Sequence, residues 1–99
     1  MNKFYFSIII PILNEEKNIK ELTYQIRRHS HKFKYEIIFV DDNSKDKSKK
    51  ILSKLKVKYK NFNFYIRKSN NPDLSSSIML GIEKSKYNSI VVMDGDLQH

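Results

Sequence analysis

Four short runs rich in β-branched and aromatic residues, separated by three stretches each long enough for one helix, leave this chain few ways to fold. FYFSIII (4–10) and YEIIFV (35–40) are apolar at nearly every position, the pattern of strands buried on both faces. FNFYIR (62–67) sets Phe62, Phe64 and Ile66 on one side, and SIVVM (89–93) is again continuously apolar. Between the first two runs, Ile19, Leu22 and Ile26 recur at helical spacing, with Asn14 as the cap and Glu15 and Glu16 at the positive end of the dipole. In the next stretch Ile51, Leu52, Leu55 and Tyr59 share one face of a helix starting at Ser44 or Asp46. In the third, Ser75 caps a segment whose apolar stripe is Ile78, Met79 and Ile82, with Gly81 a mild liability. The order βαβαβαβ predicts an α/β fold: a Rossmann-like, mostly parallel sheet with helices on both faces.

In such a sheet ligands bind beyond the carboxyl ends of the strands, where the strand order reverses. The tips are PILNEE (11–16), DDNS (41–44) and DGDLQH (94–99), while the third run ends in the loop RKSNNPD (67–73). Six carboxylates near one crevice, in a chain of net charge +8, point to a bound cation. Asp94 and Asp96 stand at i and i+2, so in extended backbone they face the same way, roughly 6.5–7 Å apart along the chain. Gly95 lets the backbone turn and a ligand approach. Hard oxygen donors of this kind suit Mg²⁺ or Mn²⁺, with Gln98 or His99 as a further ligand, although Asp-Gly-Asp is also a plain turn sequence. Of Asp41 and Asp42, one is expected to cap the following helix and the other to accept hydrogen bonds from a base edge or ribose.

Absences prune the alternatives. The turn after the first strand has no glycine, which disfavours a dinucleotide fold, and two glycines in all exclude a Walker-type phosphate loop. With no cysteine there is neither a disulfide framework nor a thiolate metal site, which fits a reducing compartment. The longest apolar run, Ile8 to Leu13, is too short to cross a bilayer and no basic-then-apolar leader precedes it, so a soluble or peripheral chain is expected. Eight lysines lie between Lys45 and Lys60. They read as a solvated helix face rather than a nucleic-acid site, because Tyr59 is the only aromatic among them.

The blocks SIIIPILNEEKNI, YEIIFVDDNSKD and DLSSSIMLGIEK with IVVMDGDLQH resemble the nucleotide-binding half of a family 2 glycosyltransferase of the GT-A fold, most of all the polyprenyl-phosphate mannosyl- and glucosyltransferases. The resemblance implies that Pro11, Leu13, Glu15, Val40 and Asp42 line a nucleoside pocket. It implies that Asp94, Gly95, Asp96 and Gln98 hold the metal, Mg²⁺ or Mn²⁺, and the diphosphate, as the family's DxD motif does. Leu13 replaces an aromatic common in relatives, so weaker base stacking is expected, and Asp73 stands where relatives often have glycine. The implied reaction moves a sugar from a GDP- or UDP-linked donor to an acceptor such as a polyprenyl phosphate. Residues 1–99 would then be the nucleotide-sugar-binding half of the domain, truncated after the DxD motif and inactive alone, with the catalytic base and acceptor site elsewhere. The expected location is cytoplasmic, with peripheral association at an anionic membrane face where the acceptor is a lipid. Two other classes fit part of the pattern: a receiver-type signalling domain with Asp94 as phospho-acceptor, and a basic nucleic-acid-binding module.

Overall fold

The computed structural model describes residues 4–96. Seven elements alternate as expected: β1 (Tyr5–Ile12), α1 (Ile19–Ser30), β2 (Lys34–Asp41), α2 (Ser48–Lys58), β3 (Phe62–Ile66), α3 (Leu74–Lys84) and β4 (Ser89–Val92). All strand pairs are parallel and the order is β3-β2-β1-β4, so the chain steps outward from β1 to β3 and then returns across the sheet to β4. Right-handed crossovers made in opposite directions put their helices on opposite faces. Accordingly α1 and α2 cover one face and α3 the other. The reversal falls between β1 and β4, which is where such sheets place ligands.

Strand alternation divides the core. Ile8, Ile10, Ile12, Tyr35, Ile37 and Phe39 point toward α1 and α2 and meet Ile19, Leu22, Ile26, Leu52, Leu55 and Phe62 in one buried cluster. Ile9, Ile38 and Val40 point the other way and form a smaller cluster under α3, flanked by Leu80, Tyr65 and Ile90. The expected stripes of α1 and α2 are the ones that pack, but that of α3 is not. Met79 is 64% exposed and Ile82 40%, while Ser77 and Gly81 are buried against the sheet. A Cβ on Gly81 would come within 2.4 Å of Ile9 Cγ2, so this glycine permits close helix–sheet contact rather than weakening the helix for nothing. The continuous apolar run of β4 is an edge strand, with Val91 40% and Val92 47% exposed, because α3 lies over β1 and β2.

At the amino ends of the strands a buried polar staple joins three segments. Ser7 Oγ donates to Glu36 Oε2 at 2.6 Å, the Lys86 amide donates to the same oxygen, and the Tyr87 amide donates to Ser7 Oγ at 3.2 Å. Glu36 is therefore buried with partners, and the staple fixes where the chain enters β4.

Candidate functional site

The loops leaving β1 and β2 are bolted to each other, and the residues that do it looked like helix caps. Asn14 does not cap α1, which begins at Ile19 after Asn18. It sits in the left-handed region at φ 55°, which Asn tolerates better than most residues, and its Oδ1 accepts from the Lys45 amide at 2.8 Å. Its own amide donates to Ser44 Oγ at 2.8 Å, the Glu15 amide to Ser48 Oγ at 3.1 Å, and the Glu16 amide to Asp46 Oδ2 at 3.1 Å. Neither Ser44 nor Asp46 is the cap of α2, which starts at Ser48 after Lys47. Burial alone would raise the Asp46 carboxyl, but hydrogen bonds from Ser48 and from the Glu16 amide outweigh it and hold the group below its ordinary value.

The two aspartates after β2 divide their work differently from expectation. Asp41 is fully buried and closes its own turn, accepting from the Ser44 amide at 2.8 Å and from the Ser44 hydroxyl. Asp42, 6% exposed, is not left free: Oδ2 accepts from the Asp73 amide at 2.6 Å, and Oδ1 lies 3.1 Å from Arg67 Nε. The cap of α3 is Asp73 rather than Ser75, since its side chain accepts from the Ser75 amide at 3.1 Å and from Ser76 Oγ at 2.6 Å. The Ser76 hydroxyl is the largest influence on the Asp73 carboxyl; opposed by slight burial and aided by the Ser76 and Ser75 amides and the charge of Arg67, it holds the group below its usual value.

Between these loops, at the carboxyl end of the sheet, lies a cavity of about 260 Å³ lined by Pro11, Ile12, Leu13, Glu15, Asp42, Pro72, Asp73, Leu74 and Ser77. Four of the five residues assigned from sequence to a nucleoside pocket therefore meet here. The fifth, Val40, has a fully buried side chain in the cluster beneath α3 and does not line the cavity. Pro72, Leu74 and Ser77 went unread in sequence, because nothing local marks the start of α3 as a cavity wall. Glu15 Oε1 accepts from Asn18 Nδ2 at 2.9 Å, which orients it along the start of α1.

The acidic motif lies beside this cavity. The Met93 amide donates to Ile9 O at 3.0 Å, carrying the β1–β4 ladder up to Asp94. Gly95 is buried, and a Cβ there would meet Ile12 Cγ2 at 2.4 Å and Pro11 O at 3.2 Å. What approaches Gly95 closely is thus the end of β1, a wall of the cavity, and the glycine seats the two acids against it. Asp94 and Asp96 are both exposed. Gln98 and His99 lie outside the described residues. Among the described residues no group of three or more His, Cys, Asp or Glu could hold a metal ion by itself. Two exposed carboxylates nonetheless suit Mg²⁺ or Mn²⁺, which bind through one or two protein carboxylates and complete their shell with water and substrate phosphates.

Comparison with known proteins agrees with this fold. The chain is 38% identical over 97 residues to the dolichol-phosphate mannosyltransferase of Pyrococcus furiosus, covering 94% of this chain and 26% of that protein. It is 37% identical to the dolichol-phosphate mannosyltransferase of Saccharomyces cerevisiae, covering 95% of this chain and 36% of the relative. The undecaprenyl-phosphate 4-deoxy-4-formamido-L-arabinose transferase of Pseudomonas fluorescens is 30% identical over 97 residues, with 96% and 29% covered. The chain thus spans between about a quarter and a little over a third of the length of these relatives. Among solved structures, S. aureus TarS in complex with UDP superposes with a TM-score of 0.79 at 23% identity, over 94% of this chain and 28% of that one, which establishes the shared fold. A sequence model of glycosyl transferase family 2 matches residues 7–99, nearly the whole chain, and the chain belongs to that family.

Proposed function

We propose that residues 1–99 form the nucleotide-sugar-binding portion of a metal-dependent glycosyltransferase whose acceptor is a polyprenyl phosphate. The observation that carries this reading is the adjacency, at the β1/β4 switch point, of an open cavity with a buried carboxylate and a pair of exposed acids held against its wall. Pro11, Leu13 and Glu15 would contact the nucleoside from one side and Asp42 from below, with a cavity sized for one moiety rather than a whole nucleotide sugar. Val40 would contribute by supporting Asp42 from the core. Asp94 and Asp96, with Gly95 between them and Gln98 following, would hold Mg²⁺ or Mn²⁺ and the diphosphate. When bound, the ion supplies Lewis-acid stabilisation of charge on the departing diphosphate. The two carboxylates orient that diphosphate, and the cross-braced loops keep the nucleoside end rigid while the sugar is transferred.

Support for the donor class comes from the UDP and UDP-GlcNAc complexes of TarS, and for the acceptor class from the names of the relatives. Family membership displaces the signalling and nucleic-acid readings. The experiment is calorimetric titration of UDP and GDP with and without Mg²⁺ or Mn²⁺. Metal should strengthen binding, and Asp94→Asn with Asp96→Asn should abolish that dependence. Equal affinity with and without metal would overturn the metal assignment.

Association with an anionic membrane surface belongs to the same reading. Lys47, Lys50, Lys54 and Lys58 are all exposed on or next to α2, and no helix among the described residues is long and apolar enough to cross a bilayer. Each lysine near an anionic leaflet contributes on the order of 1 kcal/mol. Liposome sedimentation should show binding that rises with anionic lipid and is lost when these four become Gln. Indifference to lipid charge would leave them as solubilising surface.

A further inference from the structure

We propose that Arg67 is a positioning residue of the nucleoside site, acting through Asp42; the proposal rests on the nucleotide-binding reading above. Arg67 follows β3 directly, and its amide donates to Asp41 O at 2.8 Å, which fixes its backbone beside the end of β2. From there the guanidinium makes two contacts: Nε lies 3.1 Å from Asp42 Oδ1, and an NH2 nitrogen donates to Asn71 O at 3.0 Å. Both side chains are largely buried, at 21% and 7% exposure. Asp42 Oδ1 and Arg67 Nε are buried atoms with no hydrogen-bond partner, so their contact is an ion pair not aligned as a hydrogen bond. A carboxylate in that setting is strongly destabilised if its counter-charge is removed.

The consequence reaches the cavity by a short route. Asp42 Oδ2 takes the Asp73 amide, and Asp73 in turn caps α3. Arg67 grips the same loop from its other end, at Asn71. The wall formed by Pro72, Asp73 and Leu74 is therefore hung from Asp42 and Arg67 together, while Asp42 is also a lining residue. Lysine could not take this part, because a single ammonium lacks the planar fork that serves two acceptors at once. Arg67 does not itself line the cavity, which makes its role indirect.

A double-mutant cycle in the intact protein, read by calorimetric titration of UDP and GDP, tests the proposal. Arg67→Gln should weaken nucleotide binding about ten- to hundredfold, the scale of losing a contact to a charged group. In an Asp42→Asn background the same substitution should cost clearly less, at most a few-fold, since Arg67 would have no carboxylate left to position and only its hold on Asn71 would be lost. A merely structural role predicts equal losses in both backgrounds, and that result overturns the proposal, as does undiminished binding by Arg67→Gln alone. If Arg67→Gln does not fold, Arg67→Lys takes its place, with a several-fold loss expected and unchanged affinity counting against the proposal. Wild-type protein that binds neither nucleotide would instead overturn the nucleotide reading on which it stands.

Discussion

The two faces of the sheet are built to different specifications. Toward α1 and α2 the strands present seven side chains to a cluster of twelve buried residues, with the rings of Phe39 and Phe62 packed at a tilt, 5.4 Å between centres. Toward α3 the buried apolar cluster among the described residues is Ile9, Ile38 and Val40, and contact comes from closeness, with Gly81 and Ser77 where larger residues would stand. The cavity belongs mainly to this thinner side: Leu74 and Ser77 come from α3, and Pro11 shares the alternation of Ile9. One face therefore holds most of the hydrophobic stabilisation, and the other shapes the site. A helix held by small residues sits at a distance set by the glycine, so the wall it begins is positioned finely though it buries little.

The largest effect should come from the thick face. Phe39→Ala removes a fully buried ring and is expected to cost about 3–5 kcal/mol in urea denaturation, a large share of the roughly 5–15 kcal/mol that holds a domain together. A loss below about 1 kcal/mol would mean that this face is not where stability resides. Under conditions where the variant stays folded, its affinity for UDP should match wild type.

Gly81→Ala should give the opposite pattern. The added methyl meets Ile9 Cγ2, a β-branched core atom with little freedom, so the helix must shift at a cost of about 1–3 kcal/mol. Because α3 carries Leu74 and Ser77, nucleotide affinity should fall along with stability. Ile26→Val on the other face, at about 0.5–1.5 kcal/mol, is the control and should leave affinity alone. Loss of affinity in both, in proportion to stability, would erase the distinction between the faces.

The thick face was the legible one. Ile19, Leu22 and Ile26, then Leu52 and Leu55, recur at helical spacing because those helices bury side chains, and burial is what periodicity records. α3 misled for the same reason: where small residues make the contact, the apolar stripe of Met79 and Ile82 faces solvent, and hydrophobicity points the wrong way. Pro11, Leu13, Glu15 and Asp42 could be assigned to one site because the strand-end rule and the family resemblance converge on them. Asn14, Ser44 and Asp46 were misassigned because a side chain that caps a helix and one that bonds a neighbouring loop have the same chemistry. Only the parallel pairing of β1 with β2, which sets those loops side by side, tells them apart. The Glu36 staple had no local signal either, since its partners lie 29 and 50 residues away.

The smallest effect concerns those cross-bracing loops and is read by pH. Asp46 accepts from the Glu16 amide and from Ser48, and its carboxyl is held below the ordinary value of 3.8. A group whose folded value is depressed contributes stability that is complete above its unfolded value and is lost as pH falls through the folded one. The contribution of Asp46 should thus be constant from neutral pH down to about 4 and disappear below it. Asp46→Asn should lose a few tenths to about 1 kcal/mol at pH 7, the scale of a single half-buried hydrogen-bonding side chain, with the deficit against wild type shrinking below pH 4. Urea midpoints at pH 7 and pH 3 measure this. A deficit that is the same at both would mean that the charge on Asp46 does nothing for the brace, and that the loops after β1 and β2 are held by Asn14, Ser44 and Ser48 alone.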